Sequence, residues 1–299
     1  MDFKKNFCLT MLILTLFTYG CSKPLEKNPA YNESQSINNN VKEHPKEIDT
    51  SNSELKKEKP KEIYDILGSS NKLTPSEKTS LEKWRMTIPT LVKENPSSLF
   101  INGYVENKWV ALTFDDGPDG LFTPKIIDIL KQHNIMASFF FIGKSIDAFP
   151  SVVKKAFNEN NLILNHSLDH TDLSKKDFNG IKKEVEETEN KIYSLIKKKP
   201  AIIRPPYGVV DKNTLYNLEQ LGYKSVLWSI DTLDWSQKEK DNIVNNVVNN
   251  IRSGDIILMH SNSDRQATVD ALPIIIYSLK AKGFDFVTLD KLLGVQAYK

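Results

Sequence analysis

Cysteine is nearly absent from this chain of 299 residues. The two that occur are Cys8 and Cys21, both close to the N-terminus. The rest of the chain therefore cannot form a disulfide framework or a zinc site with cysteine ligands. A metal bound there must be held by histidine and carboxylate side chains.

Excess charge of one sign is also lacking. Forty lysines and arginines oppose 38 aspartates and glutamates, which leaves a formal net charge of +2 at pH 7. No stripe of basic residues alternates with aromatic ones, so we expect no nucleic-acid partner. Apolar residues make up 39% of the chain, an ordinary fraction for a globular protein of one or two domains.

The apolar run at 7–17 is too short to span a bilayer comfortably. It follows Lys4 and Lys5, as in an export signal, and ends at Cys21 after Thr-Tyr-Gly, which resembles a bacterial lipobox with two atypical positions. We expect 1–20 to be a lipoprotein signal peptide and Cys21 to be lipidated. Ordinary secretion and an uncleaved anchor are the alternatives. The sequence thus predicts an exported protein, lipid-anchored on the outer face of a bacterial cell membrane.

Two segments separate this signal from the main pattern. Residues 21–60 are polar, with almost no large apolar side chains, and cannot bury enough surface to fold. They are predicted to be a disordered tether, with a typical span of about 35 Å. In 61–97, the run from Thr74 to Glu77 is typical of a helix N-terminus, and predicts a helix to about Ile88. We interpret 61–97 as an N-terminal extension packed on the main domain.

From residue 98 to residue 299, strand patterns alternate with helix patterns. Strands are predicted at 109–114, 137–142, 161–164, 201–203, 225–230, 256–259 and 286–288. Helices are predicted at 123–133, 149–159, 174–199, 211–221, 239–252 and 267–282. About seven βα units indicate an α/β fold, a parallel barrel slightly short of eight units. An open doubly wound sheet is the alternative.

Polar side chains follow five of these predicted strands. Sites in parallel barrels lie at the C-terminal ends of the strands. The strand ends carry Asp115 and Asp116, Asn165 and His166, Arg204 to Tyr207, Asp231 to Trp235, and His260. Taken singly, each has a structural alternative, such as a solvated turn or a satisfied core histidine. Together on one rim they indicate a site that binds a metal or moves protons.

His166 and His170 have the spacing of metal ligands. Four residues apart, their imidazoles lie on one face if the segment is helical. With one carboxylate from another strand end, they would leave coordination positions open for water. That arrangement is typical of a catalytic rather than a structural site.

Five stretches together resemble the motifs of the polysaccharide deacetylase family, the NodB-like carbohydrate esterase family 4. They are 113–118, 166–170, 204–208, 231–235 and 258–260. The resemblance covers about 105–290 and implies a distorted (β/α)7-type barrel. It also implies a divalent metal, zinc first, with cobalt, nickel or manganese as alternatives. One departure is Leu164, which stands where the family usually has glycine.

The resemblance assigns a role to each candidate residue. Asp116, His166 and His170 would bind the metal, Asp115 would take a proton from water as general base, and His260 would protonate the leaving amine. The supporting roles fall to residues of the same motifs: Arg204 and Asp234 to tune the acid–base pair, the Tyr207 amide and Pro205 to stabilise the oxyanion, and Trp235 and Leu258 to shape the acetyl pocket.

In its motifs the chain is similar to peptidoglycan N-acetylglucosamine deacetylases, which implies a metal-dependent enzyme that releases acetate from cell-wall peptidoglycan. We expect the protein to be a monomer. A chitooligosaccharide deacetylase or an acetylxylan esterase is the alternative within the class. A zinc peptidase is disfavoured, because Ser167 stands where the HExxH pattern has glutamate. An inactive glycan-binding lipoprotein is the alternative of another class, and the presence of Asp115 and His260 argues against it.

Overall fold

In the computed structural model of the protein, the described residues are 62–299. The predicted signal peptide, the tether to residue 60 and the lipidation site Cys21 lie outside the described residues.

Within residues 62–299, nine strands form a parallel sheet. They are β1 (Leu99–Phe100), β2 (Trp109–Asp115), β3 (Ser138–Phe141), β4 (Leu162–Asn165), β5 (Ile202–Ile203), β6 (Lys224–Val226), β7 (Ile230–Asp231), β8 (Ile256–His260) and β9 (Asp285–Phe286). The order is β1-β6-β5-β4-β3-β2-β8-β7, and β9 also pairs with β2. Each of these pairings is parallel.

The sheet has the order of an incomplete barrel. Strands β2 to β6 follow one another in sequence, and β8 and β7 lie on the other side of β2. A closed barrel would pair the two end strands, β1 and β7, but within residues 62–299 they do not pair with each other, and β7 is bridged to Leu67 instead. The predicted distorted α/β barrel is therefore confirmed.

Helices connect the strands and cover the sheet. They are α1 (Pro75–Glu94), α2 (Phe122–Gln132), α3 (Gly143–Ala148), α4 (Pro150–Asn158), α5 (Phe178–Ile196), α6 (Lys212–Gln220), α7 (Lys240–Val248), α8 (Gln266–Ala281) and α9 (Leu289–Leu293). In the part of the chain that the structure describes, none combines the length and the apolar character needed to cross a membrane.

The strand predicted at 225–230 is in fact two short strands, β6 and β7. Val226 ends β6 and Leu227 follows it. Their carbonyls accept hydrogen bonds from the guanidinium of Arg204 at 3.0 and 2.9 Å. These carbonyls would accept hydrogen bonds from a neighbouring strand if the strand were continuous, but here they bond to the Arg204 side chain. Strand β1 and helices α3 and α9 were not predicted, because each is too short to show a clear period.

Helix α1 begins at the predicted capping box and ends later than predicted. Thr74 accepts a hydrogen bond from the Glu77 amide, and the Glu77 side chain accepts one from the Thr74 amide. The helix continues through Pro89 to Glu94. Burial of Leu91 and Val92 against the barrel offsets the hydrogen bond that proline removes.

The atypical Leu164 is accommodated in the core. It is fully buried in β4, in register with Phe140 of β3. Strand β4 therefore keeps its pairing up to Asn165, directly before the first candidate metal ligand.

Candidate active site

The strand ends meet on one rim, as the sequence predicts. Asp115 is the last residue of β2 and lies in register with His260, the last residue of β8. Asn165 ends β4 in register with Ile203 of β5, and Arg204 follows that strand. Adjacent parallel strands thus deliver their terminal side chains to the same edge.

Asp116, His166 and His170 form a compact donor set. One ligand atom from each lies within 4.8 Å of the others. The Nε2 atoms of His166 and His170 are 3.3 and 3.1 Å from Oδ1 of Asp116. Burial disfavours the charged form of Asp116, but the two imidazoles outweigh it and hold the pKa of this carboxyl well below its usual range.

The same oxygen provides a test of whether a metal fits. Oδ1 of Asp116 is buried and has no hydrogen-bond partner within residues 62–299. A buried acceptor without a donor is costly unless something else binds it. One carboxylate oxygen converging with two imidazole nitrogens is a donor set suited to zinc or a similar divalent cation.

The loop that carries both histidines is not helical. Ser167 and His170 both have left-handed backbone, with φ of 64° and 57°. These reversals, rather than a helical face, bring the two imidazoles together with ring centroids 4.9 Å apart. The loop is held by the Asn165 side chain, which accepts from the Ser167 amide at 2.9 Å, and by the Ser167 hydroxyl, which accepts from the His170 amide at 3.0 Å.

The protonation of His166 follows from its neighbour. Its Nδ1 lies 2.7 Å from the carbonyl oxygen of Arg204. Because a carbonyl can only accept, Nδ1 carries a hydrogen, and Nε2 is the nitrogen that faces the donor set.

Two further side chains hold the donor set and its loop, and neither was predicted from the sequence. The buried Glu184 carboxylate on α5 accepts from the amides of Leu168 and Asp169 at 3.0 and 3.1 Å. The side-chain amide of Asn262 donates to Oδ2 of Asp116 at 3.2 Å. Asn262 follows β8 closely, so its place at a strand end was a usable signal. In the sequence, nothing distinguishes Glu184 from the other charged residues of its helix.

Arg204 is fully buried and holds Asp115. Its Nη1 donates to Oδ1 of Asp115 at 2.7 Å and to the Thr113 hydroxyl at 2.9 Å. Its guanidinium carbon lies 4.3 Å from the centre of the Phe140 ring. Burial lowers the pKa of Arg204, and the charge of Asp115 opposes that shift. The alternative of a surface charge at a strand end is thereby excluded.

His260 is paired with Asp234. Its Nδ1 lies 2.7 Å from Oδ1 of Asp234, and its amide donates to Oδ2 at 2.9 Å. The Thr268 hydroxyl also donates to Oδ2, at 2.7 Å. Burial alone would lower the pKa of His260, but the Asp234 carboxylate outweighs it and raises this pKa to about 9. The imidazole is therefore protonated at neutral pH, with Nδ1–H directed to Asp234.

One cavity of about 550 Å³ is bordered by Asp115, Asp116, His166, His170 and His260, whereas Arg204 and Asp234 do not line it. Tyr207, Trp235 and Leu258 line it as predicted. The Tyr207 ring packs edge-on against His170, with centroids 4.5 Å apart. Pro205 does not line the cavity. It is buried, and its carbonyl accepts from the Gly208 amide at 3.1 Å, which closes the turn that presents Tyr207.

Comparison with known proteins gives one consistent family. The sequence model of the family described as polysaccharide deacetylase matches residues 102–226. A peptidoglycan-N-acetylglucosamine deacetylase of Bacillus cereus is 36% identical over 208 residues, which cover 68% of this chain and 97% of that protein. A second protein with this name from the same organism is 45% identical over 182 residues, 60% of this chain and 66% of that protein. The match thus spans slightly less than two thirds of the second relative.

A solved structure has the same fold. It is a peptidoglycan N-acetylglucosamine deacetylase in complex with 4-naphthalen-1-yl-N-oxidanyl-benzamide. It is 39% identical to this chain and superposes with a TM-score of 0.68, covering 70% of this chain and 99% of the other.

Proposed function

The chain belongs to the polysaccharide deacetylase family of amide-bond hydrolases, and from this we propose that it removes acetyl groups from N-acetylglucosamine units of cell-wall peptidoglycan and releases acetate. The observation that carries the proposal is one cavity bordered by the Asp116–His166–His170 donor set, by Asp115 and by His260. The names of the relatives support peptidoglycan as the glycan.

The donor set would hold a divalent metal, with zinc as the first candidate and cobalt, nickel or manganese as alternatives. When bound, such a metal acts as a Lewis acid towards the acetamide carbonyl and lowers the pKa of water. The hydrogen bond from Nδ1 of His166 to the Arg204 carbonyl orients the ring so that Nε2 is the nitrogen that would bind the metal.

Asp115 and His260 would move the protons. Arg204 occupies Oδ1 of Asp115 and so leaves Oδ2 to accept the proton of the attacking water. The C–N bond of the amide breaks as Nε2–H of His260 donates a proton to the leaving nitrogen. The Tyr207 amide would donate to the oxyanion that forms on the carbonyl oxygen. The products are acetate and a glucosamine unit.

Acetate release tests this function. The purified protein is incubated with peptidoglycan, chitin oligomers and acetylated xylan, with and without a chelator. We expect acetate from peptidoglycan, lost with the chelator and restored by zinc. Acetate released only from chitin oligomers or only from xylan would show that the substrate is that glycan and not peptidoglycan. Binding to peptidoglycan without acetate from any glycan would favour the non-enzymatic alternative and contradict this proposal.

We also propose that the protein acts at the outer face of the cell membrane, anchored through lipidated Cys21. The support is the sequence pattern at 1–21. Fractionation of cells that express Cys21→Ser should move the protein from the membrane to the soluble fraction. Cys8→Ser is the matched control, because Cys8 lies within the predicted signal peptide, and it should leave the protein at the membrane. Retention of Cys21→Ser at the membrane would contradict lipid anchoring.

A further inference from the structure

Helix α1 forms part of the catalytic cavity. Five of its side chains line the cavity: Ser76, Glu77, Ser80, Leu81 and Trp84. Their spacing of i, i+1, i+4, i+5 and i+8 places them on one face of the helix. We call this face the α1 wall. The helix precedes residues 102–226, where the family model matches, so the wall lies outside the segment that the family model covers.

Trp84 anchors this wall to the loop that carries Tyr207. Its ring stacks on Trp228 with centroids 5.0 Å apart, and its Nε1 donates to the Gly208 carbonyl at 2.9 Å. A Cβ at Gly208 would lie 2.7 Å from the Trp228 ring and 2.9 Å from the Trp84 ring. Only glycine therefore lets both indoles close on the loop. Farther along α1, the buried Ile88 packs into the core.

The wall lies one layer of residues from the metal-binding groups. Gly208 is bonded to Trp84 and follows Tyr207, whose ring contacts His170. A glycan whose acetyl group reaches the donor set must therefore pass close to the N-terminal half of α1.

The chemistry of the wall suits a sugar. Ser76, Glu77 and Ser80 are exposed to solvent at the cavity, and Leu81 and Trp84 are half-buried beside them. The two serine hydroxyls make no hydrogen bond within residues 62–299. A sugar ring offers hydroxyls to such polar groups and C–H faces to leucine and tryptophan.

We propose that the N-terminal half of α1 is a specificity-determining wall, which binds the glycan unit next to the acetylated one through the face that carries Ser80 and Leu81. This inference rests on the proposed deacetylase function and names where a neighbouring sugar lies. It gives the N-terminal extension a part in substrate selection besides packing.

The first test blocks the wall. Ser80→Tyr places a bulky ring in the cavity, and Thr79→Tyr places the same ring on the exposed far side of the helix as a control. A tetramer of N-acetylglucosamine fills sites on both sides of the acetylated unit, whereas a dimer can leave the α1 side empty. We expect Ser80→Tyr to lower the tetramer-to-dimer ratio of kcat/KM about tenfold or more, and Thr79→Tyr to leave it unchanged.

The second test keeps the helix intact. Ser80→Ala favours the helix and removes only the hydroxyl, so KM for the tetramer should rise roughly 2- to 10-fold with kcat unchanged. Zinc affinity should equal that of the unaltered protein in every variant. If the unaltered protein releases acetate but both Ser80 variants keep its tetramer-to-dimer ratio, the role of α1 is wrong while the function stands. If it releases no acetate from any glycan, the proposed function itself fails.

Discussion

Asp115 and Asp116 are adjacent in sequence but face different partners. Oδ1 of Asp116 converges with two imidazoles, whereas Oδ1 of Asp115 is bound by Arg204. Asp116 has φ of 68°, which turns its side chain away from the strand direction that Asp115 still follows. The backbone therefore gives two identical side chains different surroundings, which fit the proposed roles of a metal ligand and a base.

Asp115→Asn should separate binding from turnover. The amide keeps the size of the carboxylate but cannot take a proton, so kcat should fall by about 10²- to 10⁴-fold while zinc binding is retained. Calorimetric zinc titration and acetate release measure the two quantities. Asp128→Asn, at an exposed position on α2, is the control and should change neither. Turnover that survives in Asp115→Asn would show that the assigned role is wrong.

The pKa of His260 predicts the alkaline limit of activity. The donor form of this imidazole is lost as the pH rises through its pKa of about 9, so activity should fall there. Asp234→Asn removes the carboxylate that opposes burial most strongly, so the pKa of His260 should drop and the limit should move to lower pH. Profiles of kcat/KM against pH measure the shift. The exposed Asp264→Asn should leave the profile in place, and an unmoved limit in Asp234→Asn would contradict the assignment.

At the scale of elements, α5 holds the loop that carries the two histidines of the donor set. Glu184 accepts two loop amides, and Lys176 pairs with its other oxygen at 3.2 Å. These bonds compensate for a loop with two left-handed residues, which would otherwise relax.

Glu184→Gln should therefore weaken metal binding while the protein stays folded. The amide removes the charge that holds the two N–H groups and Lys176, and the loss of such supporting partners typically costs about 10- to 100-fold in metal affinity. Competition with a chelating dye measures the affinity, and circular dichroism verifies the fold. Glu186→Gln, on an exposed part of the same helix, should bind zinc normally. Equal affinity in the two variants would show that Glu184 does not position the loop.

The elements that were predicted well have a clear pattern of apolar residues. Helix α8 follows its predicted range closely because its buried residues recur at helical spacing, and β2 does so because it is a continuous buried run. The break between β6 and β7 could not be predicted, since it depends on Arg204, a residue from another strand end. The loop 166–170 has helical spacing in sequence but is stabilised by side chains of Asn165 and Glu184.

At the scale of the molecule, we expect metal binding by the donor set to be coupled to folding, because Asp116, His166 and His170 converge only in the folded chain. A ligand that binds only the folded state stabilises it by about 2.7 kcal/mol at a concentration of 100 Kd. For a domain of this size, zinc at that concentration should raise Tm by roughly 5–10 °C over protein treated with a chelator. Differential scanning calorimetry measures the shift. Asp116→Asn should show little response to zinc, and an equal shift in that variant would place the bound metal elsewhere.

The sequence by itself determined the types of ligand, the strand ends that carry them and the family. Those features are local, because short motifs and the periodicity of neighbouring residues define them. The tertiary structure decided which partner each group has. Arg204 and Asp115 are 89 residues apart, and Trp84 and Gly208 are 124 apart. Such pairs meet only when the barrel packs, so the positioning of the base and the wall formed by α1 depend on burial and contact across the whole domain.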